Sequence, residues 1–314
     1  MACSTGCGSW SVSVDRGASF SYEEAFARNL GWVTPAEQQQ LREKRVAIAG
    51  LGGVGGLHLL ALARLGIGNA HVADFDTFDI ANFNRQVGAS VSTLGRPKAE
   101  VLAEMAHDIN PGMALKVFPE GVTAANLDAF LADVDVYIDG LDFFAFEARE
   151  RVFAACYEAG IPAVTVAPLG MGAALVNFIP GKMSFERYFR VKGVSEAEKQ
   201  IRFLVGLSPR MLQRNYLADP TFVDFANRRG PSTGMACQLC AGIAATEALK
   251  ILLGRGPVSA APTSIHFDAY RGILKRTRRP WGNRNPIQQI VLALARRQID
   301  AIKQAPQQGG ASDR

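Results

Sequence analysis

Apolar residues in this chain fall into two recurring patterns: short runs of four or five, and longer stretches at helical spacing. Arg45 to Ala49 is a short apolar run, read as a strand that enters the turn Gly50-Leu51-Gly52-Gly53-Val54-Gly55. Val54 to Leu65 follows as an apolar helix, stopped by Gly66 and Gly68. Ala70 to Ala73 is a second strand, ending at Asp74. The alternation continues with a helix over Arg96 to Ile109, a strand over Ala114 to Phe118 and a helix over Ala124 to Leu131. A strand over Val134 to Ile138, a helix over Ala145 to Ala159 and a strand over Ala163 to Val166 complete it. Strands alternating with helices predict an α/β fold, Rossmann-like and doubly wound, with a mostly parallel sheet covered on both faces.

The rhythm changes after Pro168. Ala173 to Ile179 reads as a strand with no helix before it, so an antiparallel extension is expected there. Residues 181–231 are polar and irregular and read as a long crossover segment. A helix over Gly242 to Leu253, a strand over Ser264 to Phe267 and an amphipathic helix over Ile287 to Ile302 follow, with disorder expected from Gln304 to Arg314. At the other end, residues 20–44 read as helical pieces around Thr34-Pro35, where Thr34 caps, Pro35 opens the helix and Glu37 suits its first turn. The expected division is an N-terminal helical arm over 1–44, a nucleotide-binding domain over 45–280 and a C-terminal helix and tail over 281–314.

Composition narrows the setting. With 314 residues, 48% hydrophobic and 20% charged, the chain can bury a large core. The start, Met1 to Ser19, lacks the charged and apolar parts of a secretory leader, no run approaches the roughly 20 apolar residues that span a bilayer, and a cytoplasmic protein without a membrane partner is expected. The net charge of +5 is concentrated in Arg271, Lys275, Arg276, Arg278, Arg279, Arg284, Arg296 and Arg297. This reads as a solvated basic surface, since no nucleic-acid motif accompanies it. Five cysteines, an odd number, do not describe a disulfide framework.

The glycine turn carries the chemistry. Glycines let backbone approach phosphate closely, and the following helix directs free N–H groups at an anion. Asp74 comes 24 residues after Gly50, at a strand end where a carboxylate can accept from ribose hydroxyls. Arg85 and Lys98 downstream are suited to phosphates, and Asp142, after the strand ending at Ile138, to a metal ion. Two cations and an aspartate favour a triphosphate over a dinucleotide.

At these residues the sequence resembles the ubiquitin-activating-enzyme-like adenylyltransferases, the ThiF and MoeB superfamily, from about Arg28 to about Arg279. The blocks are Arg45 to Gly55, Asp74-x-Asp76 with Asn82-x-x-Arg85-Gln86, Gly95-x-Pro97-Lys98, and Asp139-Gly-Leu-Asp142. The resemblance implies that Gly52 and Gly53 line the phosphates and adenosine. It implies that Asp74, beside Asp76, holds the ribose, and that Asn82, Arg85 and Lys98 contact the triphosphate. Asp142 would bind Mg²⁺. Arg28 would reach the γ-phosphate of a second copy in a homodimer. The implied activity is attack of a carboxylate on the α-phosphorus of ATP, giving an acyl-adenylate and pyrophosphate.

The chain departs from the family in three ways, the first being Phe143 after Asp142, where the family more often has a polar residue. Zinc is not expected, because Cys237-Gln-Leu-Cys240 is a single pair and a four-thiol site would also need Cys3 and Cys7. Residues 181–231 hold no cysteine and Cys156 lies in an apolar helix, so no enzyme thioester is expected. The substrate classes left open are a carrier-protein or ubiquitin-like C-terminus, a peptide, a tRNA base and a small acid. Two other readings stay open: an oxidoreductase using NAD(P), and a non-catalytic ThiF-like scaffold.

Overall fold

A computed structural model describes residues 20–224 and 227–304. Eight strands form one sheet in the order β3-β2-β1-β4-β5-β6-β7-β8. They are β1 (Arg45–Ala49), β2 (Asn69–Ala73), β3 (Ala114–Phe118), β4 (Val136–Asp139), β5 (Ala163–Leu169), β6 (Gly172–Phe178), β7 (Thr263–Asp268) and β8 (Ile273–Arg278). The first five run parallel. The remaining three pair antiparallel. The expected α/β sheet with its antiparallel extension is therefore present. Strand order reverses between β1 and β4, so the crevice beyond their C-terminal ends is where such folds take ligands.

The helices are α1 (Tyr22–Ala25), α2 (Pro35–Glu43), α3 (Gly55–Leu65), α4 (Lys98–Ile109), α5 (Leu127–Leu131), α6 (Phe146–Glu158), α7 (Phe185–Phe189), α8 (Glu196–Leu207), α9 (Gly234–Leu252) and α10 (Pro286–Gln304). Thr34 and Glu37 form a reciprocal capping box at α2, with Pro35 in its first turn, as the sequence predicts. One face of the sheet is covered by α3, α4 and α9 through Leu59, Leu62, Leu102, Ala244 and Ala248. The other is covered by α6, α7 and α8 through Phe146, Phe153, Phe185, Phe189 and Phe203. Residues 181–231 are thus less irregular than their polarity suggests, since α7 and α8 supply much of the second core.

Three further readings are corrected. The helix expected from Gly242 begins at Gly234, so Cys237 and Cys240 lie in its first two turns, both buried. Although α9 is long and apolar enough to cross a membrane, it packs on β5, β6 and α3 as a core helix. Residues 273–278, read only as basic surface, are the edge strand β8, and Arg279 is buried rather than solvated. The tail beyond Gln304, expected to be disordered, lies outside the described residues.

His58 of α3 is fully buried, and neither ring nitrogen has a partner among the described residues. Burial disfavours its charged form and lowers its pKa from 6.5 to about 3. The native state therefore binds fewer protons than the unfolded chain, and stability present above pH 6.5 is lost as pH falls toward 3. About 2 kcal/mol should disappear between pH 8 and pH 5. In urea unfolding at both pH values, His58→Leu should lose about 2 kcal/mol less than the parent. An unchanged pH dependence would refute this.

Candidate active site

The turn after β1 is built by backbone contact. Gly50 has φ +82°, and its N–H donates to the Ala73 carbonyl at 2.7 Å. A Cβ on Gly50 would strike the Gly140 carbonyl, and one on Gly55 would strike the Gly50 carbonyl. Glycine at 50, 55 and 140 thus lets the turn, the start of α3 and the loop after β4 close on one another. Gly52 is different. A Cβ there would meet only Gln86 Nε2, at an ordinary 3.7 Å. The fold itself does not demand glycine at 52, which leaves open space on the turn.

Asp74 anchors the turn from the end of β2. Its Oδ2 accepts from the Leu51 N–H, and its Oδ1 accepts from the Asp76 N–H at 2.8 Å. Burial raises its pKa; these backbone donors and Lys98 pull it back only partly. Lys98 opens α4 with its side chain buried and its ammonium 3.0 Å from Asp76 Oδ2. An ammonium has three N–H donors, so this bond leaves two for a ligand.

The segment after Asp76 folds back over the turn. Asn82 closes a 3₁₀ turn, its Oδ1 accepting from the Asp79 N–H. Arg85 lays its stem near Gly53, while its guanidinium donates to the Ala81 carbonyl at 3.0 Å and to Asn84 Oδ1 at 2.9 Å. Cys237 Sγ also comes close, 3.1 Å from where a Gly53 Cβ would be. Burial pushes its thiol pKa up, against smaller opposing effects of Ser232 and Arg85.

The loop after β4 completes the group. Asp139 is buried and accepts from Arg149 Nε at 2.9 Å and Thr165 Oγ1 at 2.9 Å. Arg149, also buried, donates to the carbonyls of Leu141, Asp142 and Phe143. This arginine fixes the loop's shape. Asp142 itself is exposed, and one oxygen accepts from the Phe144 N–H at 3.0 Å.

Arg28 does not join these residues in its own chain. Its 3₁₀ turn, Ala27–Asn29, is tied to the C-terminal end of α3 by Asn29 on the Leu65 carbonyl, and α1 by Tyr22 on the Gly66 carbonyl. The glycine turn is at the other end of α3, and eleven helical residues span about 16 Å.

The ThiF family model matches residues 26–288, most of the chain. The chain belongs to the ThiF family. The Escherichia coli K12 molybdopterin-synthase adenylyltransferase is 35% identical over 141 residues, covering 45% of this chain and 56% of that protein. The sulfur carrier protein ThiS adenylyltransferase of the same strain is 32% identical over 143 residues, covering 46% and 56%. The match therefore spans about half the length of these relatives. Among solved structures, E. coli MccB with ATP superposes with a TM-score of 0.60 at 20% identity, covering 81% of this chain and 70% of that one, a likeness of fold.

Within this ThiF-family fold, two residues had no role assigned from sequence. Arg149 is one; its neighbour Asp139 stood in a motif, but nothing in a helix interior marks an arginine as a loop clamp. Gln86 is the other. It is buried, lies below Gly52, and its Oε1 has no partner among the described residues. Its place in Asn82-x-x-Arg85-Gln86 was the available signal. The described residues contain no group of three metal-ligating side chains, and Cys3 and Cys7 lie outside them.

Proposed function

We propose that this chain is an ATP-dependent adenylyltransferase that activates a carboxylate. The observation that carries the reading is the set of charges around the open glycine turn: Asp74, Arg85 and Lys98 on the connection from β2 to α4, and Asp142 on the loop after β4. Asp74 accepts from the ribose, with Asp76 holding Lys98 in place. Gly52 and Gly53 admit the phosphates, while Asn82, Arg85 and Lys98 meet their oxygens. A substrate carboxylate oxygen bonds to the α-phosphorus, the bond to the bridging oxygen breaks, and pyrophosphate leaves. Cations positioned beforehand favour the charge that grows on that leaving group.

Mg²⁺ fits the residues present. It commonly takes one or two carboxylates and completes its shell with phosphates and water, and Asp142 is exposed with lone pairs to spare. Bound there, Mg²⁺ would neutralise phosphate charge. The name of the ThiS adenylyltransferase supports a carrier protein as the source of the carboxylate. Cys237 is buried with a raised pKa, which supports direct hand-over of the acyl group without an enzyme thioester.

A homodimer is part of the reading. Phe75, Ile80 and Val91 are 76%, 70% and 81% exposed on the segment between β2 and α4, apolar side chains for a second copy to cover. That copy would supply Arg28. Calorimetric titration tests the nucleotide: Mg·ATP should bind the full chain and NADH should not. NADH binding without Mg·ATP binding would favour the dehydrogenase reading.

A further inference from the structure

A second charged cavity lies far from the glycine turn. Arg187, Arg190, Trp281 and Arg284 line an open space of about 370 Å³. Two come from α7 and its cap, and two from the 3₁₀ turn Gly282–Arg284 and its cap. Strand direction fixes the location. The Asp268 end of β7 shares an edge with Leu169 and Asp139, through Gly172 of β6. β8 runs back from there, and Arg278 pairs with Thr263 at the opposite edge. Trp281 and Arg284 follow Arg278 directly. On the other wall, Phe185 of α7 packs on Phe178, the β6 residue opposite Ala163 at that same edge. The cavity is therefore at the end of the sheet away from Asp74 and Asp142.

The walls are firmly joined. Asn283 is buried and donates to the Phe189 carbonyl at 2.8 Å and the Arg202 carbonyl at 2.9 Å. Gly282 lies so close to the Tyr188 backbone that no Cβ would fit. Arg190 and Trp281, on facing walls, both hold left-handed backbone, with φ of 59° and 66°. Bulky residues seldom do so, and such strain persists only where surrounding structure enforces it.

The charge is unbalanced. None of the three arginine side chains forms an ion pair with the described residues. Glu186, the carboxylate nearest Arg187 in sequence, is occupied by the N–H groups of Val191 and Lys192. Three arginines lining one cavity call for a ligand with several anionic oxygens, and the forked donors of a guanidinium match phosphate. Trp281, 61% exposed, adds a flat apolar face on which a planar ring can stack. The volume is that of a small-molecule pocket, which runs from about 300 to 1,000 Å³.

We propose that Arg187, Arg190, Trp281 and Arg284 form a second nucleotide site, binding a nucleoside phosphate with phosphate on the arginines and base on the indole. It is separate from the adenylation site and does not depend on that reading. Calorimetry on the full chain tests it with AMP, inorganic pyrophosphate and tetraglutamate as probes. The double variant Arg187→Ala/Arg284→Ala should lose one AMP-binding step, with affinity reduced at least about tenfold, and that step should survive in Lys98→Ala. Trp281→Leu should weaken AMP at this step and leave pyrophosphate unchanged. Arg187 and Arg284 are exposed, so matching thermal melts are expected to show an intact fold. The proposal is overturned if every AMP-binding step survives the double variant, or if Trp281→Leu leaves AMP unaffected. It is also overturned if tetraglutamate, and not AMP, depends on the arginines, for then the cavity takes an acidic polypeptide. Loss of every AMP-binding step in Lys98→Ala alone would likewise overturn it.

Discussion

Lys98→Ala is expected to slow carboxylate-dependent ATP–pyrophosphate exchange by about 10²–10³-fold, the usual cost of removing one preorganised donor to developing charge. The side chain is buried at the start of α4, 3.0 Å from Asp76, so its ammonium is held in place before any phosphate arrives. Preorganisation is what makes the loss large: a mobile surface lysine would spend part of its interaction on ordering itself. Lys98→Arg should recover only part of the rate, because a longer, planar cation cannot keep the same bond to Asp76. Asp142→Ala should produce a loss of similar size, and excess Mg²⁺ should partly offset it. Exchange that persists at parental rate in both variants would remove these residues from the chemistry.

Arg149→Met is the second large effect, and it acts on stability and site together. Asp139 and Arg149 form an ion pair with both side chains 2% exposed. Removing one partner strands a buried charge, which costs about 3–5 kcal/mol. The same change frees the carbonyls of Leu141, Asp142 and Phe143, which Arg149 now holds. Denaturant unfolding should report the stability loss. In whatever fraction stays folded, the apparent Mg²⁺ requirement for exchange should rise, because the loop carrying Asp142 is no longer fixed. A change below about 1 kcal/mol with unaltered Mg²⁺ dependence would show the pair to be dispensable.

The interior strands β1, β2 and β4 read as apolar runs and were visible within two residues, and the exposed edge strand β3 was visible as well, because Leu115, Val117 and Phe118 keep its run apolar. The glycine turn was visible because its spacing is a backbone requirement at Gly50 and Gly55. Edge strand β8 was not. It has one neighbour and carries Lys275, Arg276 and Arg278, so its pattern is that of a basic tail. α7 has only five residues, too few for a helical period, and its buried Phe185, Tyr188 and Phe189 read as scattered aromatics. The start of α9 was obscured by Gly234, a poor helix former placed where its backbone meets the Asn84 carbonyl. At the site, the charged residues were legible one by one. Their supports were not, because the pairing of Asp139 with Arg149, ten residues on and across a loop, appears only once the chain is folded.

The most direct test of carboxylate adenylation follows oxygen. A peptide substrate labelled with ¹⁸O in its C-terminal carboxylate would be incubated with the full chain, Mg·ATP and an acceptor amine, and the released AMP weighed by mass spectrometry. If the carboxylate attacks the α-phosphorus, one ¹⁸O passes to AMP for each acyl group transferred, and in Lys98→Ala labelled AMP forms about 10²–10³-fold more slowly. Acyl transfer that yields ADP, or AMP without the label, would contradict the account.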